Sequence, residues 1–232
     1  MKAMILAAGI GQRMRPLTNN LPKPMLAVGG KPLLQYHLEA LANIGVRDIV
    51  INLAYLGDKI RAFVGNGEAF GVKVSYSEEP ELLETAGALL HALPLLGTEP
   101  FILINGDVWT DYPLENLAAY TLQDDEDAHL MLVPNPAFHP AGDFSPNLQG
   151  RLENNPDLPK FTFGGISLIH PRLISNYPQR RNKFPLVEVL RFGIDHNNIS
   201  ATVYGGRWSD VGTPKRLEQL DAQLRTQAIN GR

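Results

Sequence analysis

The 232-residue chain contains no cysteine. Disulfides, thiolate nucleophiles and thiolate zinc sites are therefore excluded, and the composition suits a reducing cytoplasm. It also lacks an excess of either charge: 21 Lys and Arg stand against 24 Asp and Glu, a net charge of −3. That leaves no field for general nucleic-acid binding. No apolar run reaches membrane-spanning length. The early run Met4 to Ala8 is too short for the hydrophobic region of a signal peptide, and a glycine loop follows at once, so it reads as a buried first strand. Neither a Ser-His-Asp nor a Cys-His arrangement is visible. No repeat, hexapeptide pattern or linker breaks the chain, which is expected to form a single domain over 1–232.

Two familiar phosphate motifs are missing as well. A dinucleotide fingerprint needs a third glycine, where Met14 stands, and an acidic end to the second strand, which here ends in Asn52-Leu53. A P-loop needs Ser or Thr after Gly-Lys, but Gly30-Lys31 is followed by Pro32.

What is present is concentrated near the N-terminus. Met4-Ile5-Leu6-Ala7-Ala8 runs into Gly9-Ile10-Gly11-Gln12-Arg13-Met14-Arg15-Pro16-Leu17-Thr18, and Pro22-Lys23-Pro24 follows. Glycines let backbone N–H groups approach an anion, arginines supply forks for phosphate oxygens, and Lys23 supplies a compact charge. Together they suit a triphosphate.

Beyond this loop, helical periodicity covers Pro32 to Leu41, Leu56 to Val64, and Thr85 to Leu93, the last opened by Thr85 and stopped before Pro94. Between them lie strand-like runs at Asp48 to Asn52, Val72 to Tyr76 and Phe101 to Ile104. This alternation predicts an α/β fold of βαβ units with a largely parallel sheet and a ligand crevice at the carboxyl ends of the strands. In the second half, Asp124 to Asp127 reads as a solvated acidic loop. Pro134 to Pro159 reads as a mobile flap or hairpin. Ala128 to Val133, Phe161 to Ile169 and Ala201 to Tyr204 read as strands, and Leu186 to Asp195 and Pro214 to Ala228 as helices. Gly164-Gly165 interrupts the second of these strands, as glycine does where a ligand approaches closely.

Gly-x-Gly-x-Arg, Pro-Leu-Thr and Pro-Lys-Pro, in that order, resemble the signature of the sugar-1-phosphate nucleotidylyltransferases. The resemblance covers almost the whole chain. It implies a Rossmann-like nucleotidyltransferase fold, with a predominantly parallel but mixed central sheet flanked by helices. A nucleotide-binding half would span 1–110 and a sugar-binding half 111–232. The implied reaction moves a nucleoside monophosphate from a triphosphate to a sugar 1-phosphate and releases pyrophosphate. It needs charge neutralisation and positioning rather than a general base.

The resemblance assigns Arg13 to the β and γ phosphates and Lys23 to the α-phosphoryl group, with Arg15 assisting or merely covering the loop. Ala8, Gly9 and Gly11 would meet the nucleotide. Asp107 in Asn105-Gly106-Asp107 and Asp210 in Trp208-Ser209-Asp210-Val211-Gly212-Thr213 resemble the two metal-bearing motifs, and an all-oxygen donor set favours Mg2+. Each also reads as a plain cap, at a strand end and at the last helix.

Base choice is expected around Glu79, Glu84, Thr85 and Gly87, although both glutamates also suit a helix entry. Many relatives have Leu-Gly-Thr-Ala where this chain has Leu83-Glu84-Thr85-Ala86. Leu-Glu-Thr resembles the short uridylyltransferases that act on N-acetylmuramic acid 1-phosphate, so UTP and that sugar are the expected partners in a cytoplasmic enzyme. Guanylyl transfer to mannose 1-phosphate, thymidylyl or uridylyl transfer to glucose 1-phosphate, and a non-catalytic nucleotide-sugar sensor are the alternatives. The sugar side is expected to use Asn105, Glu153, Lys160, Gly164 and Gly165. The usual Glu-Lys-Pro is replaced by Glu153-Asn154-Asn155-Pro156, without its lysine. Lys160, Arg151 and Arg191 are candidate cations for the lactyl carboxylate. Nothing points to nucleic acid or membrane, and a monomer or small homo-oligomer is expected.

Overall fold

The computed structural model describes residues 1–230. The chain opens with β1 (Lys2–Leu6), a small ribbon of β2 (Ala27–Val28) and β3 (Lys31–Pro32), α1 (Leu33–Asn43) and β4 (Asp48–Leu53). Next come α2 (Gly57–Val64), β5 (Lys73–Glu78), α3 (Glu84–Leu96), β6 (Phe101–Asn105), β7 (Val108–Thr110) and α4 (Glu115–Ala119). The second half holds β8 (Ala128–Val133), the hairpin of β9 (Ser145–Pro146) and β10 (Leu152–Glu153), β11 (Thr162–Ile169), α5 (Pro171–Ser175) and α6 (Leu186–Asp195). It closes with β12 (Ile199–Val203), β13 (Trp208–Asp210) and α7 (Pro214–Asn230).

Seven strands form one sheet in the order β12-β8-β11-β6-β1-β4-β5. It is mixed but mostly parallel: only β11 runs against its neighbours, β6 and β8. The run Ala3-Met4-Ile5 is wholly buried because helices cover both faces. Met4 packs on one side with Leu89, Leu173 and Leu190 from α3, α5 and α6. Ala3 and Ile5 pack on the other with Leu34, Leu38 and Ile60 from α1 and α2. After β1 the chain builds β4 and β5 on one side, then crosses back to place β6 on the other. The order therefore reverses at β1, and the loops leaving β1 and β6 diverge around a crevice.

A third apolar cluster determines the shape of the crevice. Met14, Leu26, Val28, Leu33, Trp109, Val211 and Leu220 pack together, joining the glycine-rich loop to β7, the Asp210 segment and α7. Met14, the residue that spoils a dinucleotide fingerprint, is fully buried there and anchors the loop.

Several expectations need correction. Pro94 does not stop α3, which continues to Leu96. Proline near a C-terminus forfeits a single N–H bond, and the burial of Ala92 and Leu96 outweighs it. Thr85 does not open its own helix, because α3 begins at Glu84. Its Oγ1 instead accepts from the Leu186 N–H at 2.7 Å, capping α6, whose own N-cap position is Pro185. The acidic run is a loop with Asp124 and Asp125 exposed, but its second half is not solvated. Glu126 is 2% exposed and accepts from the Tyr120 hydroxyl and the Gln123 N–H. Asp127 is bound by Arg172 and Asn198, and Asp125 by Arg151 at 2.6 Å. The run latches the start of β8 to its neighbours.

His129 lies beside this latch, its ring nitrogens 2.6 Å from Ser200 Oγ and 2.9 Å from Thr202 Oγ1. Burial pushes its pKa down to about 4. The unfolded chain takes up this proton near pH 6.5 while the native state refuses it, so the contribution is present above that pH and lost on acidification. Between pH 7 and pH 5 the wild type should lose about 2 kcal/mol more than His129→Gln in urea unfolding. Equal pH slopes would place the loss elsewhere.

Candidate functional site

The crevice contains two adjoining cavities that share Asn105 and Asp107 at the end of β6. The first is about 450 Å³ and is lined by Ala8 and Gly9 of the loop, Lys23, Asn52, Glu79, Glu84, Thr85 and Lys183 among others. The second is about 330 Å³ and takes in Arg13, Gly165, Trp208, Asp210 and Arg216.

Asn52, which served in the sequence only to exclude a ribose carboxylate, is a central strut. Buried at the end of β4, it accepts from the Ala7 N–H at 2.7 Å and donates to Glu79 Oε1 at 2.6 Å. The other Glu79 oxygen accepts from the Leu83 N–H at 3.0 Å. Glu79 thus joins β4 to the start of α3 and still borders the first cavity.

Glu84 has a left-handed backbone, φ 61°. An L side chain pays for that conformation, which is why glycine is the easy solution. Gly87 answers to space instead. A Cβ there would lie 2.3 Å from the Asn182 carbonyl oxygen. The Phe184 carbonyl accepts from the Ala86 and Gly87 N–H groups at 3.0 and 3.2 Å, so residues 182–186 seal the start of α3. That seal carries Lys183 into the first cavity. No sequence signal marked Lys183, because it arrives through a tertiary contact.

The charged groups meet where the cavities join. Lys23 is 11% exposed and forms an ion pair with Asp107. Asp210 is brought beside Asp107 by pairing of β13 with β7 and by the Val211 N–H, which donates to the Asp107 carbonyl at 2.9 Å. Burial, with the charge of Asp107 added, raises the Asp210 carboxyl pKa, and Lys23, Arg216 and Arg13 pull it back. Arg13 projects from the loop into the second cavity.

The same residues suit a divalent cation. Asp210 Oδ1 is buried without a hydrogen-bond partner, and the donors are carboxylate oxygens. The described residues contain no cluster of three or more His, Cys, Asp or Glu, so an ion here would complete its shell with substrate phosphates and water.

Other expected residues are dispersed. The Gly11 carbonyl accepts from Thr18 at 2.8 Å and shapes the loop. At the register shift in β11, Gly165 lines the second cavity, while Gly164 lies against Met131 and its carbonyl accepts from Trp208 Nε1 at 2.8 Å. Glu153 and Lys160 border a separate cavity of about 190 Å³ with Asp143 and Asn154. Arg151 is spent on the acidic run and the Asn197 carbonyl. Arg191 is exposed on α6 and lines neither cavity of the crevice.

Comparison with known proteins places this geometry. Residues 2–142 match the family described as "Nucleotidyl transferase". The chain belongs to the nucleotidyl transferase family. This nucleotidyltransferase is 45% identical over 227 residues to N-acetylmuramate alpha-1-phosphate uridylyltransferase of Neisseria meningitidis serogroup B, covering 96% of this chain and 97% of that one. It is 32% identical to a mannose-1-phosphate guanyltransferase of Aspergillus oryzae, with 93% of this chain covered but only 62% of that enzyme. Its fold matches HddC from Yersinia pseudotuberculosis complexed with GMP-PN, at TM-score 0.77 and 26% identity over 96% of this chain and 98% of that one. Among the described residues, no helix is long and apolar enough to cross a membrane.

The Glu84 backbone yields a test on the nucleotidyltransferase itself. Glu84→Gly should relieve the left-handed strain, partly offset by glycine's freedom in the unfolded chain, for a net gain of about 0.5–1 kcal/mol. The urea midpoint reads this, and a lowered midpoint would show that the Glu84 side chain stabilises the fold.

Proposed function

We propose that the enzyme transfers a uridylyl group from UTP to N-acetylmuramic acid 1-phosphate, releasing pyrophosphate, in the cytoplasm and with Mg2+. One observation carries this reading: the 45% identity to the uridylyltransferase extends nearly end to end in both chains, whereas the guanyltransferase match leaves over a third of that enzyme uncovered.

The chemistry follows from the site. A phosphate oxygen of the sugar 1-phosphate attacks the α-phosphorus of the triphosphate, and the bond to the bridging oxygen of pyrophosphate breaks. The nucleophile is already an anion, so the barrier is repulsion between two polyanions in a narrow crevice. The first cavity takes base and ribose, leaving the α-phosphorus near the junction at Asn105 and Asp107. Lys23, held there by Asp107, neutralises charge as the phosphoryl group transfers. Arg13 holds the β and γ phosphates. Mg2+ bound at Asp107 and Asp210 would supply further positive charge to the phosphate oxygens. Glu79 and Asn52 border the base, with Glu84 and Lys183 at the rim.

Asp210→Asn keeps the shape and removes one charge, so turnover should fall by about 100-fold or more while the melting temperature holds. Near-normal magnesium-dependent turnover would remove Asp210 from the metal site. For the substrate pair, kcat/KM with UTP and N-acetylmuramic acid 1-phosphate should exceed that with GTP and mannose 1-phosphate by about 100-fold. The reverse preference would refute the pair and leave the reaction class standing.

A further inference from the structure

A sugar 1-phosphate is a second polyanion, and its phosphate needs a cation distinct from the one that holds the triphosphate. The sequence lacks the lysine of Glu-Lys-Pro, and Lys160 borders a different cavity. Among the described residues, the Lys and Arg side chains lining the second cavity are Arg13 and Arg216; His139 also lines it but faces Asp143 at 2.9 Å. Arg13 belongs to the loop that leaves β1. Arg216 reaches the cavity from the opposite side, on the first turn of α7.

Arg216 is held as a receptor side chain would be. Its Nη2 is 3.3 Å from Asp210 Oδ2, and its side chain is 14% exposed. The Phe138 ring lies 3.9 Å from the guanidinium carbon. That contact accounts for a phenylalanine with half its surface exposed, since the ring's π-face covers the cation. Behind it, a Cβ on Gly212 would stand 2.0 Å from Nη2, so the motif glycine leaves room for the guanidinium. Although buried, Nε and Nη2 have no hydrogen-bond partner. An arginine fixed by a ring and a carboxylate but with unspent donors is prepared for an anion, because buried unpaired N–H groups are costly until one arrives.

Resting on the reading that the acceptor is a sugar 1-phosphate, we propose that Arg216 binds the acceptor's phosphate. The phosphate is favoured over the lactyl carboxylate because Arg216 adjoins Asp210, at the phosphate end of the crevice.

Arg216→Gln is tested in the Mg2+-loaded enzyme with UTP and either N-acetylmuramic or N-acetylglucosamine 1-phosphate. KM for both sugars should rise by the same factor, about tenfold or more, with KM for UTP changed less than about twofold. Arg216→Lys should restore part of the loss. Calorimetry in EDTA gives a second readout, in which wild type binds the accepted sugar 1-phosphate more tightly than Arg216→Gln. Phe138→Ala, which loosens the guanidinium without removing its charge, should raise the same KM by a smaller factor and carries the test if Arg216→Gln does not fold. A rise confined to KM for UTP would assign Arg216 to the triphosphate, and a loss confined to the muramic sugar would assign it to the carboxylate. Either result, or unchanged constants, overturns the proposal. If wild type prefers another sugar 1-phosphate, the substrate reading fails while the Arg216 test proceeds with that sugar, since the phosphate is common to all.

Discussion

The structure depends on holding opposite charges together in a half-buried crevice before any substrate arrives. Two carboxylates at one end of the β7–β13 ribbon would repel each other if left alone, and burial makes that worse. Lys23 sits against Asp107 and Arg216 against Asp210, so each carboxylate has its own cation, and Arg13 stands apart from these pairs on the glycine-rich loop. A free enzyme built this way is close to electrical balance at its centre, with its cations already in place. Lys23 and Asp107 come from distant stretches that meet at the carboxyl ends of β1 and β6, whereas Asp210 and Arg216 pair within one segment.

Much of this was legible in the sequence, and the reasons differ by element. Fully apolar runs such as Phe101 to Ile104 show themselves because a strand covered on both faces has no polar positions. The Gly-x-Gly-x-Arg loop and the Asp-Val-Gly-Thr segment show themselves because close backbone approach and fixed charges demand particular residue types. Pro94 misled because helix-stopping rules describe an isolated helix, whereas α3 is held by packing along its length. Glu126 misled because four acidic residues in a row look solvated until Arg151 and Arg172 arrive from far along the chain.

The site was legible where one stretch carries its own chemistry and hidden where two stretches must meet. Asn52 is an ordinary strand end until Ala7 and Glu79 are beside it. Thr85 looks like the cap of its own helix, and nothing local says that its hydroxyl serves α6 a hundred residues later. Lys183 lies in a polar, unpatterned loop. Arg216 reads as one more basic residue on an exposed helix, because its burial comes from Phe138 and Asp210, neither adjacent in sequence.

The seal between the start of α3 and residues 182–186 has a consequence for altering base choice. The Gly87 backbone, the Phe184 carbonyl and the Thr85 hydroxyl make the two segments one mechanical part, although a hundred residues separate them. A graft of 79–88 from a relative with different preferences would import one half of a joint and leave its socket behind. The transplantable unit is therefore discontinuous. Both segments must come from the same donor, or the proposed base-reading residues will stand on a helix whose first turn has lost its partners.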